Sequence, residues 1–133
     1  MPDTTANNSK IKVLVAEDDR FLSSLLKAKL EKEGFMVKIA YDGEEATSML
    51  KEFKPDVMIL DLIMPKISGF EFLEYISVDP QFNQIPVIVL SNLGQETDIE
   101  RAKQLGVDDY FVKSQISIED VVKAVQNLVV VGT

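Results

Sequence analysis

Short apolar runs alternate with helical patterns along nearly the whole chain, and this alternation restricts the fold more than any other feature. The runs occupy residues 11–16, 35–40, 56–60, 86–90 and 110–112. Within them, residues 57–60 and 87–90 are apolar at every position. A strand with one wet face alternates apolar and polar, whereas a strand covered on both faces reads as an unbroken apolar run.

The intervening segments repeat at helical spacing. Phe21, Leu22, Leu25, Leu26, Ala28 and Leu30 predict one wide apolar face, and Ala46, Met49, Leu50 and Phe53 predict a second. Phe70, Leu73 and Ile76 form a third, and Ile99, Ala102 and Leu105 a weaker fourth. Ile118, Val121, Val122, Val125, Leu128 and Val129 complete the series at the i, i+3, i+4, i+7 spacing. Gly34 and Gly106 follow helical runs, where a left-handed C-cap is needed. Asp42 is placed to cap a helix, with Glu45 three residues on. Pro55 and Pro86 precede strands, where a missing N–H does no harm. Five strands alternating with five helices predict an α/β, doubly wound parallel sheet with helices on both faces. Residues 1–9 are polar and read as a disordered arm.

The chain has 133 residues, no cysteine and no histidine, which excludes several chemistries. Thiolate nucleophiles, imidazole bases, Cys- or His-ligated metals and disulfides are all ruled out. A resident metal must take oxygen ligands, which suits magnesium, manganese or calcium. The net charge of −8 argues against direct nucleic-acid or anionic-membrane binding. No apolar run approaches a membrane span, and a polar start without a signal-peptide core predicts a cytoplasmic protein.

In an open parallel sheet the functional crevice lies beyond the carboxyl ends of the strands. Glu17, Asp18 and Asp19 follow the first run, Asp61 the third, Ser91 the fourth and Lys113 the fifth. Singly, each has a plain reading: a helix cap, a strand-end hydroxyl, a solvated lysine. Asp61 stands out because an acid at the end of a buried run is costly unless paired or metal-bound. Carboxylates about 4 Å apart repel by roughly 4 kcal/mol at an effective dielectric of about 20. They persist together if a cation neutralises them or one takes a proton.

With these residues in place, the chain from about Lys10 to Val130 resembles a receiver domain of bacterial two-component response regulators. The marks are Val13-Leu14-Val15-Ala16-Glu17-Asp18-Asp19, the run Asp61-Leu62-Ile63-Met64-Pro65 followed by Gly69, Ser91, and Tyr110-Phe111-Val112-Lys113. The resemblance implies a flavodoxin-like sheet in the order 2-1-3-4-5, with residues 10–133 as the receiver domain. It implies Asp61 as the phosphorylated residue, and Glu17, Asp18, Asp61 and the Ile63 carbonyl as ligands of Mg²⁺ or Mn²⁺. It implies that Ser91 contacts the phosphoryl group, that Lys113 pairs with it, and that Tyr110 is the aromatic switch. Asp19 is assigned to helix capping. The implied phosphodonor is a sensor histidine kinase or a histidine phosphotransfer protein in a phosphorelay. The output is a partner-binding face formed by the fourth helix, fifth strand and fifth helix (residues 95–105, Tyr110 and residues 119–127). On this reading the chain is not an ordinary enzyme but a phosphoacceptor that promotes its own phosphorylation and dephosphorylation.

The chain departs from the family pattern in two places. Ser114 stands where most receivers have proline, and the Lys113–Ser114 bond is expected to be trans, since a non-proline cis bond costs about 2.5–4 kcal/mol. Ile63 and Leu93 occupy positions that modulate phosphoryl hydrolysis in the family, and neither side chain can hydrogen-bond a water. A long-lived phosphoryl state is therefore expected. Only Gly132 and Thr133 follow Val131, so the chain reads as a single-domain regulator or a piece of a longer one. The apolar stretch Val129-Val130-Val131 suggests core burial or a contact with a second copy of the chain. The alternatives considered are an interaction module that has lost phosphorylation, a flavin carrier of the same fold and an acid-dependent phosphatase. Glu17-Asp18-Asp19 stands where a flavin carrier needs a phosphate-binding loop, and no second acid lies two residues beyond Asp61.

Overall fold

The computed structural model of the chain describes residues 10–131, and the predicted arm at residues 1–9 lies outside the described residues. The elements alternate as β1 (Lys12–Ala16), α1 (Arg20–Lys32), β2 (Met36–Ala40), α2 (Gly43–Phe53) and β3 (Val57–Leu60). They continue as α3 (Gly69–Ser77), β4 (Val87–Ser91), α4 (Glu96–Gln104), β5 (Asp109–Val112) and α5 (Ile118–Val131). The strands form one parallel sheet in the order β2-β1-β3-β4-β5. That is the expected order, and the strand ends fall within about one residue of the apolar runs.

The pleat divides the core in two, because successive strand residues point to opposite faces. Leu14, Ala16, Met58, Leu60, Val87 and Val89 pack with α2, α3 and α4, through Leu50, Phe53, Phe72, Leu73 and Ala102. Val13, Val15, Val57, Ile59, Ile88 and Leu90 pack on the other face with α1 and α5, through Leu26, Leu30, Val121 and Val125. Every residue of β3 and β4 is buried, as the unbroken apolar runs 57–60 and 87–90 require, and Ser91 at the end of β4 is buried with them.

Helix boundaries follow the capping chemistry. Asp19 caps α1 by accepting from the Leu22 amide, and Asp42 caps α2 by accepting from the Glu45 amide. Glu45 in turn accepts from the Tyr41 amide. Ser68 and Glu71 form a capping box at α3. Gly34 and Gly106 adopt φ of 98° and 94°, the left-handed caps expected of them.

The structure corrects the predicted face of α1. Its buried positions are Ser23, Leu26 and Leu30, while Phe21 is 80% exposed and Ala28 is exposed as well. Phe21 lies about 200° around the helix from Ser23, so apolar character alone misplaced it. The Ser23 hydroxyl is accommodated by donating to the Arg20 carbonyl. No described peptide bond is cis. The Lys113–Ser114 bond is therefore trans, and Lys113–Gln115 form a single 3₁₀ turn. Val129 packs partly against the core, whereas the side chains of Val130 and Val131 lie outside the described residues. No described helix is long and apolar enough to cross a membrane.

Candidate functional site

The sheet register delivers the site. Ala16 pairs with Leu60, which sets Glu17 beside Asp61 at the carboxyl edge. The Asp61 amide donates to the Ala16 carbonyl and the Glu17 amide to the Ala40 carbonyl, so both acids are held by strand-like bonds. Leu60 pairs with Val89, which puts Ser91 just beyond the level of Asp61 on the neighbouring strand. Ser91 pairs with Val112, and Lys113 follows.

Side chains converge from there. The Lys113 ammonium lies 2.8 Å from Glu17 Oε1 and 2.9 Å from Asp61 Oδ2. Glu17 and Asp61 are buried, at 2% and 5% exposure. Asp18 is exposed, yet carboxylate oxygens of Glu17, Asp18 and Asp61 all lie within 4.8 Å of one another. Backbone amides orient the two buried acids. The Asp19 amide donates to Glu17 Oε2 at 3.0 Å, and the Ile63 amide donates to Asp61 Oδ1 at 3.1 Å.

Two carboxylates thus share one ammonium. Burial pushes the Glu17 carboxyl up to about 7, aided by the Asp61 charge and opposed by bonds from Lys113 and the Asp19 amide. Burial also works against the Lys113 ammonium, but the bonds to Glu17 and Asp61 outweigh it and hold Lys113 above the ordinary lysine range. Both groups are thus shifted upward, toward holding their protons. The short contacts to both acids favour a charged Lys113, with the excess negative charge the unstable element of the cluster.

Three hard oxygen donors, two of them buried and one open to solvent, fit a small divalent cation that keeps part of its water shell. A cation there would relieve the repulsion that one ammonium leaves uncompensated.

The second half of the site is less polar. Ser91 is fully buried, and its hydroxyl accepts from the Leu93 amide at 3.3 Å. The Tyr110 hydroxyl donates to the Leu93 carbonyl. Burial, with the Asp98 and Asp61 charges, raises the Tyr110 phenol, so it remains a donor. Ser91 and Tyr110 therefore grip the same residue of the β4–α4 loop.

Residues 13–126 match the model of the response regulator receiver domain. The chain belongs to that family. Among its relatives, the transcriptional regulatory protein CpxR of Escherichia coli K12 is 44% identical over 102 residues, or 77% of this chain and 42% of CpxR. The chain thus spans less than half the length of that relative. The receiver domain of the Francisella response regulator 1452 superposes with a TM-score of 0.80 at 35% identity, covering 90% of this chain and 96% of that one. The phosphorylated cyanobacterial phytochrome response regulator RcpA superposes at 0.77 and 31% identity, covering 90% and 91%. The chain is therefore a receiver domain of the two-component response regulators, a signalling domain rather than an ordinary enzyme.

Glu17, Asp18, Asp61 and Lys113 meet at the carboxyl edge of the sheet, Ser91 ends β4 and Tyr110 lies on β5. Two features had no sequence signal. One is the direct bond between Lys113 and Glu17, which are 96 positions apart (113 − 17). The other is the fit at Gly69. A Cβ there would lie 2.4 Å from Leu62 Cα and 2.5 Å from the Asp61 carbonyl, so the start of α3 rests on the backbone of the site. Asp61 and Gly69 lie eight apart (69 − 61) in the quoted motif, but spacing alone does not announce a contact.

Proposed function

We propose that this receiver domain accepts a phosphoryl group on Asp61 from a phosphohistidine donor, in a magnesium-dependent reaction. The supporting observation is the bond network at Asp61: a buried carboxylate held by the Ile63 amide and the Lys113 ammonium beside two further acids. A carboxylate oxygen attacks phosphorus, a P–O bond forms, and the P–N bond to the donor histidine breaks with its electrons leaving on nitrogen. No base within the chain is required, because the nucleophile is a carboxylate that carries no proton to remove. The lack of histidine is thus compatible with the chemistry.

The residues that would hold the cation are Glu17, Asp18 and Asp61, with the Ile63 carbonyl as a fourth donor. A bound Mg²⁺ supplies charge neutralisation at the phosphoryl oxygens. Lys113 is positioned to leave Glu17 for the phosphoryl group, and the Ser91 hydroxyl to donate to it. Ser91 and Tyr110 share Leu93 as a partner. A pull on Ser91 would therefore reach Tyr110 and the loop that leads into α4. The responding face comprises residues 95–105, Tyr110 and residues 119–127, and binds a downstream protein or a second copy of the chain. The phosphorylated form of RcpA supports this reading by likeness.

The deciding experiment is incubation with acetyl phosphate and Mg²⁺, followed by intact-mass measurement. Wild type gains the mass of one phosphoryl group, and Asp61→Asn or omission of the metal prevents it. An unchanged mass in wild type would favour an interaction module that no longer takes phosphate. Beryllofluoride with Mg²⁺ should shift amides across the α4–β5–α5 face.

A further inference from the structure

Besides the buried side chains of Leu62 and Met64, which anchor it in the core, the loop that follows Asp61 is held at two places, and only the Gly69 contact belongs to the site described above. At the other, the loop meets the first turn of α2. Pro65, Lys66 and Ile67 lie against three consecutive residues, Asp42, Gly43 and Glu44. The Gly43 amide donates to the Pro65 carbonyl at 3.3 Å, and the Ile67 amide donates to the same carbonyl at 2.9 Å. A Cβ on Gly43 would lie 2.4 Å from both the Cβ and the carbonyl oxygen of Ile67. The Lys66 ammonium reaches Asp42 Oδ2 and Glu44 Oε1, each at 3.5 Å. Lys66 adopts a φ of 72°, a left-handed conformation uncommon outside glycine and asparagine. That conformation is the one from which its side chain meets both acids.

None of these residues enters the proposed chemistry, yet all of them bear on it through Asp61. The Ile63 amide sets the direction of the Asp61 carboxylate. Ile63 itself is 56% exposed, so packing does little to fix its place. Its position is inherited from its neighbours: Leu62 and Met64 are buried in the core, and the path of the loop beyond them is set by the Gly69 and Pro65–Ile67 contacts. The geometry points to Gly43 and Lys66 as positioning residues for Asp61, with the start of α2 as the seat that sets the β3–α3 loop. This inference rests on the proposed function and adds residues that act through Asp61 and Ile63 rather than on the phosphoryl group.

The test is an amide-shift titration of the full chain with Mg²⁺ alone, on wild type, Gly43→Ala, Lys66→Met and Lys66→Arg, alongside thermal unfolding. Gly43→Ala should move the Ile63 and Asp61 amides before any metal is added. It should weaken Mg²⁺ binding about fivefold or more, as a small misplacement of a positioned group does. Lys66→Met should weaken it about two- to threefold, the range of an exposed ion pair, and Lys66→Arg should restore it. Lys66 is on the surface, so its two variants remain informative even if Gly43→Ala fails to fold. Lower melting temperatures with unchanged Mg²⁺ affinity and unchanged Ile63 shifts would overturn the inference and leave the proposed function standing. A wild type that shows no Mg²⁺ response at Asp61 or Ile63 would overturn both.

Discussion

Lys113, at the end of β5, donates to the Asp61 carboxylate at the end of β3 across 2.9 Å, although 52 positions separate them in the chain. The same ammonium reaches Glu17 at 2.8 Å, so it is the counter-charge for two buried acids. Lys113→Met removes that counter-charge and leaves both carboxylates facing each other. The metal-free protein should lose about 1–3 kcal/mol, less than a fully buried pair would because Lys113 is partly solvated. Urea unfolding at pH 8 would measure this, and saturating Mg²⁺ should recover part of the loss.

Glu17 predicts a pH dependence of the metal-free protein. Burial holds its folded value at about 7, above the ordinary 4.5 of a glutamate. The folded state therefore binds more protons than the unfolded state between those values. The associated stability is fully present below the unfolded value and is lost as pH rises through the folded one. The urea midpoint should fall over that window, and Glu17→Gln should flatten the profile. A cation competes with the proton, so Mg²⁺ affinity should rise with pH over the same range. An affinity independent of pH between about 6 and 8 would contradict this assignment.

Gly69 is packed against backbone, which cannot rotate out of the way. Gly69→Ala places a methyl 2.4 Å from Leu62 Cα and 2.5 Å from the Asp61 carbonyl. The expected cost is about 1–3 kcal/mol, as for overpacking elsewhere. On the proposed function, phosphorylation by acetyl phosphate should slow as well, because the displaced atoms adjoin Asp61. A substitution that lowered stability without slowing phosphorylation would show that the contact is purely structural.

Tyr110→Phe deletes one hydrogen bond, from the phenol to the Leu93 carbonyl. The loss should be about 0.5–1.5 kcal/mol by chemical denaturation. The Leu93 amide, which donates to Ser91, should shift in the variant's spectrum even before phosphorylation.

Ile63 exposes more than half its surface beside Asp61, the proposed acceptor, and offers no side-chain hydrogen bond to a water. The phosphoryl group should therefore be long-lived, and Ile63→Asn should hasten its loss. Following dephosphorylation by intact mass tests this, and an already fast rate that Ile63→Asn slows would reverse the idea.

What could be read in the sequence was what burial writes into it. Residues 57–60 of β3 and 87–90 of β4 are apolar throughout because helices cover both faces, and the strand limits were visible within about one residue. Gly34 and Gly106 were visible because the left-handed cap admits few other residues. Asp61 was visible because an acid at the end of a buried run requires an explanation. Phe21 was misread because apolar character is a tendency, whereas exposure is decided by the neighbouring helix face. Phe72, fully buried, was passed over because Phe70 and Leu73 already satisfied the helical period. The contact of Lys66 with Asp42 and Glu44 left no pattern at all, since ordinary surface charges of that kind occur along the whole chain.

The carboxyl edge of the sheet draws its side chains from four strands, from Glu17 on one side of the sequence to Lys113 on the other. The strand order β2-β1-β3-β4-β5 makes each of these neighbours a long-range partner, which is the slow kind of contact to form. A nascent chain that has not yet emerged through β5 has Asp61 but no ammonium beside it. On the proposed function, readiness to accept a phosphoryl group is then a property of the completed sheet, which a half-synthesised or partly unfolded copy lacks.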